Sequence, residues 1–341
     1  MPEYALKGAA IDLRQLSDRA NRLRQVGLPI IIELHTFGPR DLASETGYAQ
    51  VKDNIARLRD NFDDVRFVLH EPYQSVARVT AMDFDIEPVE RAIAAAHALG
   101  CGALVMHRYW ALVFGDAPAR SSRADATAGF LDIVQRLARA AGDLRLLVEN
   151  VGHYSLLPRD GRHFLSGPLD HFFPWEITEF RSALEAARVT NVEAFIDVAH
   201  ATLSANLFNY KKRRLAALRD DRRFDWITDD DLARTDALHP FDFVDSRMPH
   251  LHLSDSLLLS QDALSTELDE ESLTKAVTAE GLEIGAGNLP WRRLRERVGA
   301  NATLVLEVEP GPDDSHESNG AQERSLHALR EIMASNASIA D

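Results

Sequence analysis

LRLLVEN, residues 144–150, opens on apolar residues of the kind a buried strand uses and closes on an ionisable side chain, Glu149. The same design recurs three times further along. EAFIDVAH at 193–200 carries Asp197, PHLHLSD at 249–255 carries His252, and TLVLEVEP at 303–310 carries Glu307. Burying an ionised carboxylate costs several kcal/mol unless something compensates it. Such costs repeated at the ends of successive strands point to one shared partner, and a divalent cation is the simplest.

Upstream, strand-like runs occur at LPIIIELH (28–35), VRFVLHEP (65–72) and GALVMH (102–107), with YALKGAA (4–10) the weakest of the set. Between them DLRQLSDRANRLRQVG (12–27), YAQVKDNIARLRDNF (48–62), DIEPVERAIAAAHALG (85–100) and ADATAGFLDIVQRLARAAGD (124–143) place apolar residues at three- and four-residue spacing. Alternating strands and helices argue a parallel sheet. Repeated βα units over 341 residues predict an α/β chain folded as a (β/α)8 TIM barrel, one domain spanning 1–341. A doubly wound sheet would want a Gly-rich phosphate loop after an early strand; GLEIGAGNL (281–289) comes too late for that. Two long connections, about 151–180 and 201–248, are expected as loop insertions on the C-terminal face, over the site. PGPDDSHESNG (310–320) reads as a solvated loop before a final helix.

The formal net charge of −15 argues against a long nucleic-acid ligand, because phosphate contacts demand a basic face. The basic cluster Lys211, Lys212, Arg213, Arg214, Arg219, Arg222 and Arg223 reads as a solvated helix face, or alternatively a local anion patch. No run approaches the ~18 apolar residues of a membrane span, and MPEYALKGAAIDLRQ carries no signal-peptide pattern. With a lone Cys101, flanked by glycine at a helix-to-strand turn, this gives a cytoplasmic expectation. Phe172, Phe173, Pro174 and Trp175 form an apolar stretch, a candidate contact between copies of the chain in a homo-oligomer.

Barrel geometry brings strand ends to one mouth, so residues ~50 apart in sequence can share an ion. Three carboxylates and an imidazole (Glu149, Asp197, His252, Glu307) suit Mn²⁺, Zn²⁺, Co²⁺ or Fe²⁺ better than Ca²⁺, which prefers oxygen alone. His70 in VLHEPY and His107 in VMHRYW end the preceding strands and leave room for a second ion bridged by Glu149. His200 lies three residues past Asp197, where it can hold substrate, ligate metal or begin a helix. Asn150 can bond the substrate or a neighbour, and Asp255 can fix His252 from behind. Glu307 and Glu309 would share a face by strand alternation; Glu307 is taken as the ligand because it directly ends the apolar run. Glu33 and His35 make a similar pair whose role stays open.

HEPY, LVMH, VEN, DVAH, HLHLSDS and LVLEVE, in this order over nearly the whole chain, resemble the xylose isomerase-like barrel superfamily. It includes sugar isomerases and epimerases, and apurinic endonucleases of the endonuclease IV type. The resemblance implies that Glu149, Asp197, His252 and Glu307 form the epimerase metal shell, and that His70 and His107 match an additional zinc site. It fails at one place. Where the endonucleases carry Asp-Arg-His for a third zinc, this chain has Ala279, Glu280 and Gly281.

The expected activity is therefore a divalent-metal-dependent isomerase or epimerase of a small sugar, sugar acid or polyol, working through an enediolate. Glu149 and Glu307 would exchange the proton. His200 and Asn150 would contact the substrate, and Arg159 or Arg162 would grip an anionic group. The alternatives are a zinc-dependent phosphodiesterase of the endonuclease IV type and a barrel that binds without turnover.

Overall fold

Alternation along each strand builds this molecule from the inside out. The computed structural model describes residues 2–72, 86–107, 121–150, 155–159, 162–166, 173–219, 221, 224 and 227–335; side chains at 121–127, 155–159, 162–166, 270 and 277 fall outside the description. Among these residues the barrel strands are β1 (Glu3–Ala9), β2 (Ile31–His35), β3 (Arg66–His70), β4 (Ala103–His107), β5 (Arg145–Glu149), β8 (Val192–Asp197), β9 (His250–Leu253) and β10 (Thr303–Leu306). All pair in parallel and close in the order β1-β10-β9-β8-β5-β4-β3-β2, a (β/α)8 barrel. The weak first run is a full strand of 7 residues. Its apolar pattern is diluted because Lys7 takes an inward position.

Successive side chains of a strand point to opposite faces. Outward residues such as Leu6, Ile32, Leu69, Leu104, Leu146 and Leu251 join the core shared with the helices. Inward, a lower layer is apolar: Ala103, Val105, Leu147 and Phe195 cluster with Val68, and Ala5, Ile31 and Val305 form a second group. Two residues further along the same strands stand Lys7, Glu33, His70, His107, Glu149, Asp197 and Glu307. A dry plug thus underlies a polar rim.

The helices follow their local signals. Asp12 caps α1 (Leu13–Gln25) through Arg14 and Gln15 N–H at 2.9 and 3.2 Å, and Ser44 caps α2 (Glu45–Asn61). α3 (Glu87–Leu99) starts with proline in its first turn and ends on Gly100 at φ 65°, a left-handed position that favours glycine. α4 spans Ser121–Ala141. Within 151–180 lie an antiparallel hairpin, β6 (Ser155–Arg159) with β7 (Arg162–Ser166), and the start of α5 (Pro174–Ala186).

The segment 201–248 departs from the expectation of a loop insertion. α6 (Val198–Arg213) is buried from Val198 to Lys211. It is covered by α7 (Asp229–Arg234), the turn Pro240–Phe243, α8 (Gln261–Ser265) and α9 (Glu270–Thr278), and Asn206 and Asn209 hydrogen-bond backbone on these flanks. The basic cluster divides where it is described: Arg213 and Arg219 are exposed, as a solvated face requires, while Lys211 is buried and Lys212 half-buried. Lys211 Nζ donates to the carbonyls of Phe224 (2.8 Å) and Ile227 (2.6 Å), and Lys212 Nζ to that of Leu232. Arg222 and Arg223 lie outside the described residues.

The aromatic stretch is partly internal, with Pro174 and Trp175 half-buried. Phe173 is buried and packs on Trp175 and Phe208, with ring centroids 4.8 and 5.7 Å away, and Trp175 Nε1 donates to Asp231; Phe172 is outside the description. The chain continues through α10 (Leu294–Arg297) and a largely solvent-facing 310–318 segment to α11 (Gly320–Ala334), capped by the buried Asn319. Among the described residues no helix is long and apolar enough to cross a membrane. Cys101 is buried and free, and burial pushes its thiol up to about 12.

Candidate metal centre

Parallel register levels the strand ends. His107 is paired with Glu149, and Asp197 with His252. The resulting cluster, Glu149, Asp197, His252 and Glu307, can bring one ligand atom from each residue within 4.8 Å of the others. His252 Nδ1 lies 2.7 Å from Glu307 Oε2 and 3.3 Å from Glu149 Oε1. Glu307 reaches the centre because β10 ends at Leu306; Glu309 is exposed and packs its side chain on Gly281.

The imidazole of His252 is oriented from behind by Glu33, not by Asp255. Glu33 Oε2 sits 3.0 Å from Nε2 of both His250 and His252, at the fully buried centre of the barrel. A carboxylate there favours a proton on Nε2 and leaves Nδ1 to face Glu149 and Glu307. Phe195 packs edge-on against both imidazoles at 4.9 Å and holds the rings in place. Asp255 instead organises the following loop: it accepts from the N–H groups of Ser256, Gly285 and Leu289.

Among the described residues Glu307 Oε2 and His252 Nδ1 are buried with only each other and Glu149 for polar company, and Glu149 Oε2 finds only His70 and His107 at 3.4 and 3.6 Å. A buried polar atom left unsatisfied costs on the order of 1–3 kcal/mol, and a divalent cation held by these carboxylates and the imidazole would compensate them together. The donor set therefore fits a metal of the Mn²⁺, Zn²⁺ or Co²⁺ kind. The electrostatics agree. Burial penalises the charge on Glu149, but His252 outweighs it with help from His200 and His70, and its carboxyl is held well below the usual range. Burial also penalises Glu307, against Lys7 and His252, which bring it well below that range. Burial with the neighbouring Glu149 and Glu307 raises Asp197 to about 6. His252 is held well above the usual imidazole value, its burial overcome by Glu33, Glu149 and Glu307. A proton at Nδ1 and a cation there are alternatives.

The other oxygen of Glu149 turns toward a second group. Oε2 is 3.4 Å from His70 Nε2 and 3.6 Å from His107 Nε2, and the three residues can also hold an ion. His70 Nδ1 donates to the Glu71 carbonyl at 2.9 Å, which leaves Nε2 facing Glu149. His35, stacked edge-on against Phe37 and 5.6 Å from His70, is buried enough to bring its pKa down to about 3.

Asn150 clamps β5 to β8: its Oδ1 accepts from Asp197 N–H at 2.7 Å and its Nδ2 donates to the Asp197 carbonyl at 3.3 Å. Asp197 also caps α6 by accepting from His200 N–H at 2.7 Å. The His200 ring donates Nδ1–H to the Asn150 carbonyl at 2.8 Å and points Nε2 at Glu280 Oε2, 3.1 Å away. Burial opposes its charge, but Asp197, Glu149 and Glu280 together hold it well above the usual imidazole range. Arg159 and Arg162 flank the hairpin turn as a paired position, and their side chains lie outside the described residues.

Three groups escape the sequence reading: Lys7, Glu280 and the role of Glu33. Lys7 Nζ hydrogen-bonds Glu307 Oε1 and lies 3.8 Å from Glu33 Oε1. Burial works against its charge, yet Glu307, Glu33 and Glu149 raise its pKa. The inward spacing of Lys7 from Ala5 is a signal that could have flagged it.

A closed (β/α)8 barrel with carboxylates and imidazoles converging at its C-terminal rim defines a class of barrels whose rim is able to hold a cation. The chain belongs to the xylose isomerase-like TIM barrel family, whose model matches residues 22–332. Its fold is similar to a putative xylose isomerase from Rhodospirillum rubrum (14% identity, 97% of this chain and 99% of that one covered, TM-score 0.58). It is also similar to the IolI protein with a bound zinc atom (12%, 99% and 100%, TM-score 0.52). A Thermus thermophilus protein soaked with zinc chloride aligns at 18% identity, 97% of both chains and TM-score 0.51. At these identities the likeness is one of fold. No match is found among curated proteins.

Proposed function

We propose that this protein is a divalent-metal-dependent isomerase or epimerase of a small sugar, sugar acid or polyol. The observation that carries it is the approach of two carboxylates, Glu149 on β5 and Glu307 just after β10, to Nδ1 of one imidazole at 3.3 and 2.7 Å. Their strands are separated in the barrel by β8 and β9, so the carboxylates come to a bound substrate from different sides. The zinc described for two proteins of similar fold accords with this donor set.

Glu149, Asp197, His252 and Glu307 would hold the ion, with His70 and His107 beside Glu149 as the place for a second. A bound cation supplies the positive charge that stabilises an enediolate developing on two adjacent substrate oxygens. Glu149 removes the carbon-bound proton and later gives it up to solvent, and Glu307, ionised at rest and a third exposed at the mouth, takes a proton from solvent and returns it to the neighbouring face or carbon. His200, fixed through Nδ1, offers its Nε2 edge to a substrate hydroxyl that shares this proton with Glu280. Asn150 keeps Asp197 and His200 in register. Arg159 and Arg162, on the hairpin after β5, are proposed to meet an anionic substituent. The buried barrel and its covering helices act as one domain.

The test is solvent-deuterium exchange into candidate ketoses and sugar acids with Mn²⁺- or Zn²⁺-loaded protein. Exchange that disappears in Glu149→Gln supports the proposal; loaded protein that exchanges no substrate across the class sinks it. The His70–His107–Glu149 group favours a second reading, phosphodiester hydrolysis. Nicking of an abasic duplex by the loaded protein would reverse the ranking.

A further inference from the structure

Lys7 is a cation built into the rim. Its backbone is pinned, since its carbonyl accepts from Arg19 Nε (3.3 Å) and Gln322 Nε2 (3.2 Å). Its side chain is 10% exposed and brings Nζ onto Glu307 Oε1 and to 3.8 Å from Glu33 Oε1. That Glu33 oxygen is buried without a hydrogen-bond partner among the described residues. Its other oxygen is committed to His250 and His252. The same two carboxylates belong to a further constellation, Glu33, His70, His252 and Glu307, whose ligand atoms also fall within 4.8 Å of one another. This third cation group shares His252 and Glu307 with the centre described above. It differs in having an ammonium lodged on both of its carboxylates.

We propose that Lys7 is an internal counter-ion that excludes a divalent ion from the Glu33–His70–His252–Glu307 group, thereby confining metal to the Glu149 side of the rim. The ammonium seated between Glu33 and Glu307 neutralises the carboxylate charge an ion would need there and adds its own repulsion, whereas Glu149 and Asp197 supply further negative charge that holds an ion on their side. By holding Glu307 Oε1, Lys7 also turns Oε2 toward His252 Nδ1. Lys7 is thus a positioning residue for Glu307. This inference rests on the metal reading of the rim, and it goes beyond it by fixing how many ions the rim accepts.

The test counts ions. Full-length wild type, Lys7→Met, Lys7→Arg and the double variant Lys7→Met/Glu33→Gln are stripped with chelator and dialysed against Zn²⁺. Bound zinc per chain is then measured by atomic emission and calorimetry. Lys7→Met should bind one more ion per chain than the wild type, Lys7→Arg the wild-type number, and the double variant should return to that number. Lys7→Gln keeps a hydrogen-bond donor to Glu307 without the charge; it reads the same gain if Lys7→Met does not fold. Zinc should also raise the melting temperature of Lys7→Gln by more than that of the wild type. A wild type that binds zinc alongside neutral variants of unchanged count and affinity overturns this inference alone. A wild type and variants that bind none overturn the metal reading with it.

Discussion

On β9, Leu251 and Leu253 point outward into the core shared with the helices, while His250 and His252, one residue away, point inward to Glu33. On β5, Leu146 and Val148 face out while Leu147 and Glu149 face in. Within the inward face there is a further step, from apolar Leu147 and Phe195 below to Glu149 and Asp197 above. A single pleat therefore separates what holds the barrel from what lines its rim. Altering the outer face should cost stability, and altering the rim should, on the proposed function, cost binding and chemistry.

The largest expected break in that contrast is Glu149→Gln. It should lower isotope exchange by about 10²–10⁴-fold and reduce bound metal, with the circular dichroism of the fold retained. A variant of unchanged exchange would remove Glu149 from the chemistry. On the opposite face, Leu251→Ala should cost about 2–5 kcal/mol in denaturant unfolding, because a buried side chain is exchanged for a cavity. Its metal affinity should stay at the wild-type level; a parallel loss of affinity would show that the two faces are not separable. Between them stands Glu33→Gln, which touches no ion in the main cluster but orients His252. It should weaken metal binding about 10–100-fold by calorimetry, and an unchanged affinity would mean that the ring needs no such partner.

The smallest effect is one of pH. Asp197 has its carboxyl raised to about 6 by burial and by Glu149 and Glu307. A carboxyl raised in the folded state favours the metal-free fold while it is protonated. That contribution is lost as pH climbs from its unfolded value of about 3.9 through about 6. Metal must displace the same proton, so the rise in melting temperature given by Zn²⁺ should be smaller at about pH 5 than at about pH 7.5. Equal increments at both pH values would show that no proton on Asp197 competes with the ion.

Much of this is readable along the chain. Strand ends carrying Glu149, Asp197, His252 and Glu307 are visible because alternation and apolar runs are local properties of the strand. Lys7 is not, since one lysine in YALKGAA makes a buried strand look like a poor one. Asp255, three residues after His252 in HLHLSD, looks like the natural partner for it; the chain turns there, and the carboxylate meets Ser256, Gly285 and Leu289 instead. The run Lys211, Lys212, Arg213 and Arg214 looks solvated because burial of Lys211 depends on the backbone carbonyls of Phe224 and Ile227, which fold back over α6.

The sequence by itself determined the number and order of the βα units and the strand ends that carry ionisable groups, because pleat and helix periodicities are written within a few residues. Only the tertiary structure decided the pairings: Glu33 with His252, His200 with Glu280, and Lys7 with Glu307, 300 residues away. The last comes from barrel closure, which sets β1 beside β10, and the others from strands and loops that meet across the barrel. No local pattern specifies which of several buried charges that closure brings within a hydrogen bond of one another.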